Sequence, residues 1–269
     1  MRLRSFAFAL AVLSCIFASP ASAQQGPTVA TQNPQAVALA TKSVALLSGG
    51  VQIADITLTG TATRVAGSDS GSGTVTLKAL GTSNSRMDLS LSDGTFSEIR
   101  TAQTGTPQGQ WLAPNGSSNS MAAHNCLTEA AWFFPALTVL SQTSNPNISI
   151  TYVDLETKGG VSVQHLQFAF ISGTQVADLG DPLATLSSTD VYLNSSSLLP
   201  VAFVFNTHPD NNALVNIPVE VDFSNYQTVN GVQIPFHIQK LLNGSLFLDL
   251  TIQNVSVNSG LSVSAFSSN

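Results

Sequence analysis

The sequence predicts a mainly β fold: one antiparallel sheet of about a dozen strands, with a helix before it and an apolar helix inserted mid-chain. Three observations carry this expectation. Apolar and polar residues alternate with period two through most of the chain from Val51 onward, as in TVTLKAL (74–80) and SRMDLSLS (85–92). Short Gly, Asn and Ser stretches punctuate these runs at hairpin spacing. No crossover helix lies between successive runs, so a parallel sheet is disfavoured.

The elements follow in chain order. MRLRSFAFALAVLSCIFASPASA has a basic start at Arg2 and Arg4, an apolar stretch from Phe6 to Ala18 and a small-residue site at Ala21-Ser22-Ala23. This is the pattern of a secretory signal peptide, residues 1–23, cleaved after Ala23. Val12-Leu13-Ser14-Cys15 offers a lipobox as the alternative. Residues 24–33 form a polar, flexible start, and residues 34–269 read as a single domain without repeat or linker. Asn33 before Pro34 is an N-cap followed by proline at the first helical position, and Gly49-Gly50 is a stop signal. A helix is expected between them, with Val37, Ala40, Val44 and Leu47 on one face.

Strands are then expected at 51–63, 74–80, 85–92, 95–102 and 110–114, and again at 148–157, 161–170, 187–194, 199–207, 215–227, 232–242 and 245–258. Ser92-Asp93-Gly94, Lys158-Gly159-Gly160 and Asn243-Gly244 are hairpin turns. Between the two series lies HNCLTEAAWFFPALTVL (124–140), apolar on nearly every side of a helix. Pro135 removes a donor and disfavours helical geometry at Phe134, so this element is kinked or split in two. It serves either as a plug that completes the core or as a lid over an apolar cavity.

Processing removes Arg2 and Arg4, leaving seven basic against fifteen acidic side chains and a net charge of −8. No Lys/Arg cluster exists, which argues against nucleic acid and anionic membrane surfaces as partners. Only Cys126 remains after Cys15 is lost, so stability must come from a core without an internal disulfide. No second apolar run is long enough to cross a bilayer, so a soluble or peripheral protein is expected, and it is expected to be a monomer.

Candidate chemistry is sparse. His124 and Cys126 lie two positions apart, so their side chains diverge, and no third group stands behind the histidine. His165, His208 and His237 have no metal-ligand spacing. No phosphate-binding glycine loop, nucleophile elbow or paired-carboxylate pattern occurs. The expectation is a non-enzyme without metal or cofactor, a hydrolase assembled only in space being the remote alternative.

The order of elements resembles the LolA/LolB family of periplasmic lipoprotein carriers. The resemblance rests on the leader, the N-terminal helix, hairpin strands, the mid-chain apolar segment with Pro135, and the ending Gly231-Val-Gln-Ile-Pro235, Asn243-Gly244, Leu250 to Asn258, Leu261 and Phe266. It covers nearly the whole mature chain. The resemblance implies an unclosed, curved half-barrel whose helices fill the concave mouth, and a secreted or periplasmic carrier that shelters acyl chains. On that reading Trp132, Phe133, Phe134, Leu137 and Leu140 meet the apolar ligand. In the family an arginine on an early strand holds the lid shut; Arg86 matches by strand position, with Arg64 as rival. The chain departs from the family in its longer Ser/Asn-rich loops, its scarcity of basic residues and its segment 171–186.

Overall fold

Thirteen strands form one antiparallel sheet in the computed structural model, which describes residues 29–102, 105–174, 176 and 180–267. The expected signal peptide lies outside the described residues. Helix α1 (Pro34–Ser48) starts where the sequence places it: the Asn33 side chain accepts from the backbone N–H groups of Gln35 and Ala36. It ends on Gly49 at φ 57°, where any Cβ would meet the Gly231 carbonyl oxygen at 2.0 Å. Glycine therefore fixes both the cap and the close approach of α1 to a hairpin.

The first meander runs β1 (Asp55–Ala66), β2 (Asp69–Leu80), β3 (Asn84–Leu91), β4 (Gly94–Thr101), β5 (Gln108–Leu112) and β6 (Ser118–Ser120). The second runs β7 (Ile148–Lys158), β8 (Val161–Phe170), β9 (Thr189–Asn194), β10 (Pro200–Thr207), β11 (Ile217–Val229), β12 (Val232–Leu242) and β13 (Ser245–Val257). β1 pairs with β13, so the spatial order is β6-β5-β4-β3-β2-β1-β13-β12-β11-β10-β9-β8-β7. The sheet is left open between β6 and β7. Asn243 and Gly244, at φ 50° and 75°, close the β12–β13 hairpin as two consecutive left-handed residues.

Three departures from expectation have local causes. β6 is a short, exposed polar strand with no apolar alternation to announce it. Helix α2 (Pro182–Ser187) forms where no element is expected, capped by the Asp181 carboxylate on the N–H groups of Leu183 and Ala184. The mid-chain segment breaks at the expected proline but contains no α-helix. It forms 3₁₀ turns at Ala123–Leu127, Pro135–Leu137 and Val139–Ser141. Phe134 is extended before Pro135 (φ −136°, ψ 94°), as a residue preceding proline must be.

The core lies on the concave face. Ile56, Leu58 and Ala62 of β1, Val75, Leu77 and Ala79 of β2 and Leu248, Leu250 and Ile252 of β13 point inward by alternation. α1 and the turns at 135–141 pack over them.

Candidate functional site

Residues 121–147 join the two edge strands, β6 to β7, and cross the opening of the sheet. The segment carries the apolar residues singled out in the sequence. Trp132, Phe133 and Leu140 are 1%, 1% and 0% exposed, Phe134 is 0% and Leu137 is 5%, so the structure brings all five into the concave core. The Trp132 and Phe133 rings meet edge to face at 5.6 Å.

Polar pins attach the segment to both halves of the sheet. From β4, Arg100 Nη1 donates to Thr128 Oγ1 at 2.7 Å and to the carbonyls of Asn125 (3.2 Å) and Thr128 (3.4 Å). From the opposite half, the Asn125 side chain accepts from His208 N and Thr207 Oγ1 and donates to the His208 carbonyl. Glu129 accepts from Val139 N within the segment and from Thr189 Oγ1 on β9. Burial pushes the Glu129 carboxyl up to about 7, against the lowering effect of the Val139 and Thr189 hydrogen bonds and of Arg100.

Arg100 is itself paired with Glu98 at 2.8 Å, and both are buried. Burial pushes Glu98 up, but the Arg100 and Lys240 charges outweigh it and hold the carboxyl below the usual range. Its Oε2 is buried without a partner among the described residues. Two cavities flank this pair. One, of about 330 Å³, is lined by Arg100, Cys126, Glu129, Phe170 and Leu183. The other, of about 210 Å³, is lined by Arg64, Met87, Phe96, Glu98, Lys240 and Phe247.

Arg86, the residue expected as a latch, makes its polar contacts elsewhere. Arg86 points outward from β3, pairs with Asp88 at 2.8 Å and donates to the Ser267 carbonyl at the C-terminal end. Its sequence rival Arg64 faces inward but stacks on Phe96 and Phe247, at 5.0 and 5.9 Å. The arginine that reaches the mid-chain segment is Arg100, which sequence reasoning missed. Alternation gives the signal: Arg100 shares its parity with Phe96 and Glu98, whereas Arg86 falls between the inward Ser85 and Met87.

Cys126 and His124 do not pair. Cys126 donates to the Ala122 carbonyl, and burial raises its thiol pKa; His124 meets the Pro209 carbonyl. A different constellation appears on the outer face, where Ser224, His237 and Asp249 of adjacent strands align at 3.0 and 3.0 Å. This is a cross-strand polar ladder on paired interior strands. Ser224 and His237 are direct register partners, and the left-handed Asn225 beside Ser224 (φ 52°) interrupts the β11–β12 ladder. Among the described residues no group of three or more His, Cys, Asp or Glu is placed to hold a metal ion, and no helix is long and apolar enough to cross a membrane.

Sequence comparison finds no matching family model and no matching curated protein. In shape the chain is similar to a Vibrio parahaemolyticus domain described as an outer membrane lipoprotein-sorting protein domain, with TM-score 0.55 and 11% identity over 86% of this chain and 96% of that one. It is similar to a LolA superfamily protein from Nitrosomonas europaea, with TM-score 0.54 and 12% identity over 87% and 97%. A DUF1329 family protein from Desulfovibrio piger gives TM-score 0.52 and 11% identity over 87% and 96%. At these identities the likeness establishes the fold alone: an unclosed antiparallel sheet similar to those of the three structures.

Proposed function

We propose that the protein is a secreted or periplasmic, non-catalytic carrier that shelters acyl chains against the concave face of its half-barrel, with the 121–147 segment as the gate. One observation carries this reading. The segment fills the concave face with Trp132, Phe133, Phe134, Leu137 and Leu140, yet side chains and short turns hold it there rather than a strand ladder. It can leave without dismantling the sheet.

Magnitudes favour exchange over simple opening. Withdrawing five large apolar side chains into water costs about 1.5–3 kcal/mol each, about 10 kcal/mol together. An acyl chain that buries about twelve methylenes in their place returns about 0.8 kcal/mol per group, again about 10 kcal/mol. The gate therefore stays shut without ligand and opens at little net cost with one. The 330 Å³ cavity beside Glu129 and Phe170 is the starting point for such an exchange. Arg100 acts as the latch and the five apolar residues as the surface that ligand displaces. Lipid or the acyl chains of a lipoprotein fit the site as partners, bound by a monomer without cofactor. The outer membrane lipoprotein-sorting description of a fold relative points the same way.

Complete burial of Trp132 and Phe134 also fits a second reading, a structural envelope protein whose segment is a permanent plug. Uptake of the neutral fluorophore N-phenyl-1-naphthylamine, with native mass spectrometry of gently extracted protein, separates the two. The carrier reading expects saturable uptake and co-purified lipid. A protein that is empty and takes up no fluorophore is a filled plug.

A further inference from the structure

We propose that the end of the concave face carrying the β1–β2 and β12–β13 hairpins binds the anionic head of a single-chain amphiphile. Arg64 and Lys240 hold its charge, and Met87, Leu89, Phe96 and Phe247 receive the first part of its chain. The proposal rests on the carrier reading in one respect: the concave face must admit amphiphiles at all.

Strand parity turns both cations inward. Arg64 falls in the inward series Ile56, Leu58, Ala62 of β1, and Lys240 in the inward series Val232, Ile234, Ile238 of β12. Both pair with Leu248 of β13, from opposite sides. Their Cα atoms are thus two inter-strand spacings apart, about 10 Å, a gap two long side chains can close on one anion. The Arg64 guanidinium lies 5.0 Å from the Phe96 ring, and Lys240 Nζ lies 4.2 Å from the Trp132 ring.

Arg64 and Lys240 make no direct ion pair among the described residues, although the Glu98 charge acts on Lys240 from beyond contact distance; unlike Lys42 and Lys78, which also have none, these two line a cavity. Aromatic faces hold these two cations and leave their N–H donors without a carboxylate. Desolvation lowers the Lys240 pKa; Glu98 opposes this and Arg100 adds to it. The wall of the 210 Å³ cavity carries two cations against one carboxylate, in a chain whose net charge is −6. That carboxylate, Glu98, already accepts from Arg100 through Oε1, and its buried Oε2 is an unpartnered acceptor.

Together these features describe a ligand with a negative charge, a hydrogen-bond donor beside it and an apolar tail. A singly protonated phosphate monoester on an alkyl chain has all three. Two cations disfavour a cationic ligand, and the apolar remainder of the wall disfavours a bare anion. At about 210 Å³ the cavity is below the 300–1,000 Å³ usual for drug-sized ligands, which suits one chain rather than two.

Both tryptophans of the chain report on the site: Trp111 lines the cavity and Trp132 lies beneath Lys240. Tryptophan fluorescence titrations with dodecyl phosphate, dodecanol and inorganic phosphate are run on the mature chain and on Arg64→Gln and Lys240→Gln, with N-phenyl-1-naphthylamine uptake in parallel. Dodecyl phosphate is expected to bind at least about tenfold tighter than dodecanol, the scale of one or two charge-assisted hydrogen bonds. Each variant loses most of that preference while keeping fluorophore uptake, and Arg64→Lys retains it. Should a glutamine variant fail to fold, added salt serves instead, weakening dodecyl phosphate and leaving dodecanol unchanged. Equal affinities for the two chains alongside fluorophore uptake would overturn the anion site and leave the carrier standing. Inorganic phosphate that competes at equal concentration would overturn the amphiphile assignment. Absence of all binding, fluorophore included, would overturn both readings.

Discussion

The β1–β13 seam and the mid-chain segment are buried to the same degree and held by different means. Ile56 and Leu58 on the seam are 0% exposed, and so is Phe134 in the segment. On the seam, register runs from Ile56↔Val257 to Arg64↔Leu248, so every inward residue sits on a backbone ladder. In the segment, attachment depends on a few side chains: Arg100, Asn125 and Glu129. Burial supplies the free energy in both regions, but the ladder alone makes the seam inseparable from the fold. A region equally dry and far less tied is one that a competing apolar surface can replace.

Removing the main pin should have the largest effect. Arg100→Met strands Glu98 as a buried carboxylate and removes the donor shared by three acceptors on the segment, of which Thr128 Oγ1 and the Asn125 carbonyl keep only their bond to each other. A loss of about 3–5 kcal/mol is expected in urea unfolding, the scale for breaking a buried ion pair. Glu98→Gln added to Arg100→Met should recover part of it, because both partners are then neutral. A loss below about 1 kcal/mol in the single variant would show that Arg100 does not latch the segment.

Glu129 provides the next effect, and its sign is definite. The folded-state value of about 7 lies above the ordinary glutamate value, so between the two the folded chain holds a proton that the unfolded chain has lost. This group's contribution is intact at low pH and is lost as pH rises toward and past 7. Glu129→Gln cannot ionise and still offers an acceptor to Val139 N. It should be up to about 3 kcal/mol more stable than the parent at pH 8, with the gap closing toward pH 4. Parallel pH–stability curves for the two proteins would show that Glu129 takes up no proton on folding.

Hydrogen exchange tests the comparison without mutation. Amides at 128–142 should exchange about a hundredfold faster than those of Ile56 and Leu58, in spite of matching burial. Equal protection would make the segment part of the global unfolding unit and favour the permanent plug.

Much of this was legible before the structure, and what was not has physical reasons. The strands announced themselves through alternation, and the hairpins through Asn243-Gly244 and Lys158-Gly159-Gly160. The break at Phe134-Pro135 followed from proline sterics. The α-helix expected around it did not form, because an apolar run without capping carries no helical periodicity to enforce one; tertiary burial chose 3₁₀ turns instead. The outer-face Ser224–His237–Asp249 ladder was unreadable, since only the β11–β12–β13 register aligns residues so far apart in sequence. Parity was the signal left unused: it sends Arg64, Arg100 and Lys240 inward and Arg86 out.

That parity makes the smallest predicted effect the most discriminating one. Arg86 and Arg100 lie on neighbouring strands, and each pairs with an acid two residues away: Asp88 at 2.8 Å and Glu98 at 2.8 Å. Their side chains are 19% and 8% exposed, on opposite faces of one sheet. Solvent screens the first pair, and Asp88 keeps a second donor in Ser97 Oγ at 2.6 Å. Arg86→Ala should therefore cost less than about 1 kcal/mol, with fluorophore uptake and segment exchange rates unchanged. A loss as large as that for Arg100→Met, or a faster-exchanging segment, would mean that the anchor at Ser267 on the outer face controls the gate and that the concave pins do not.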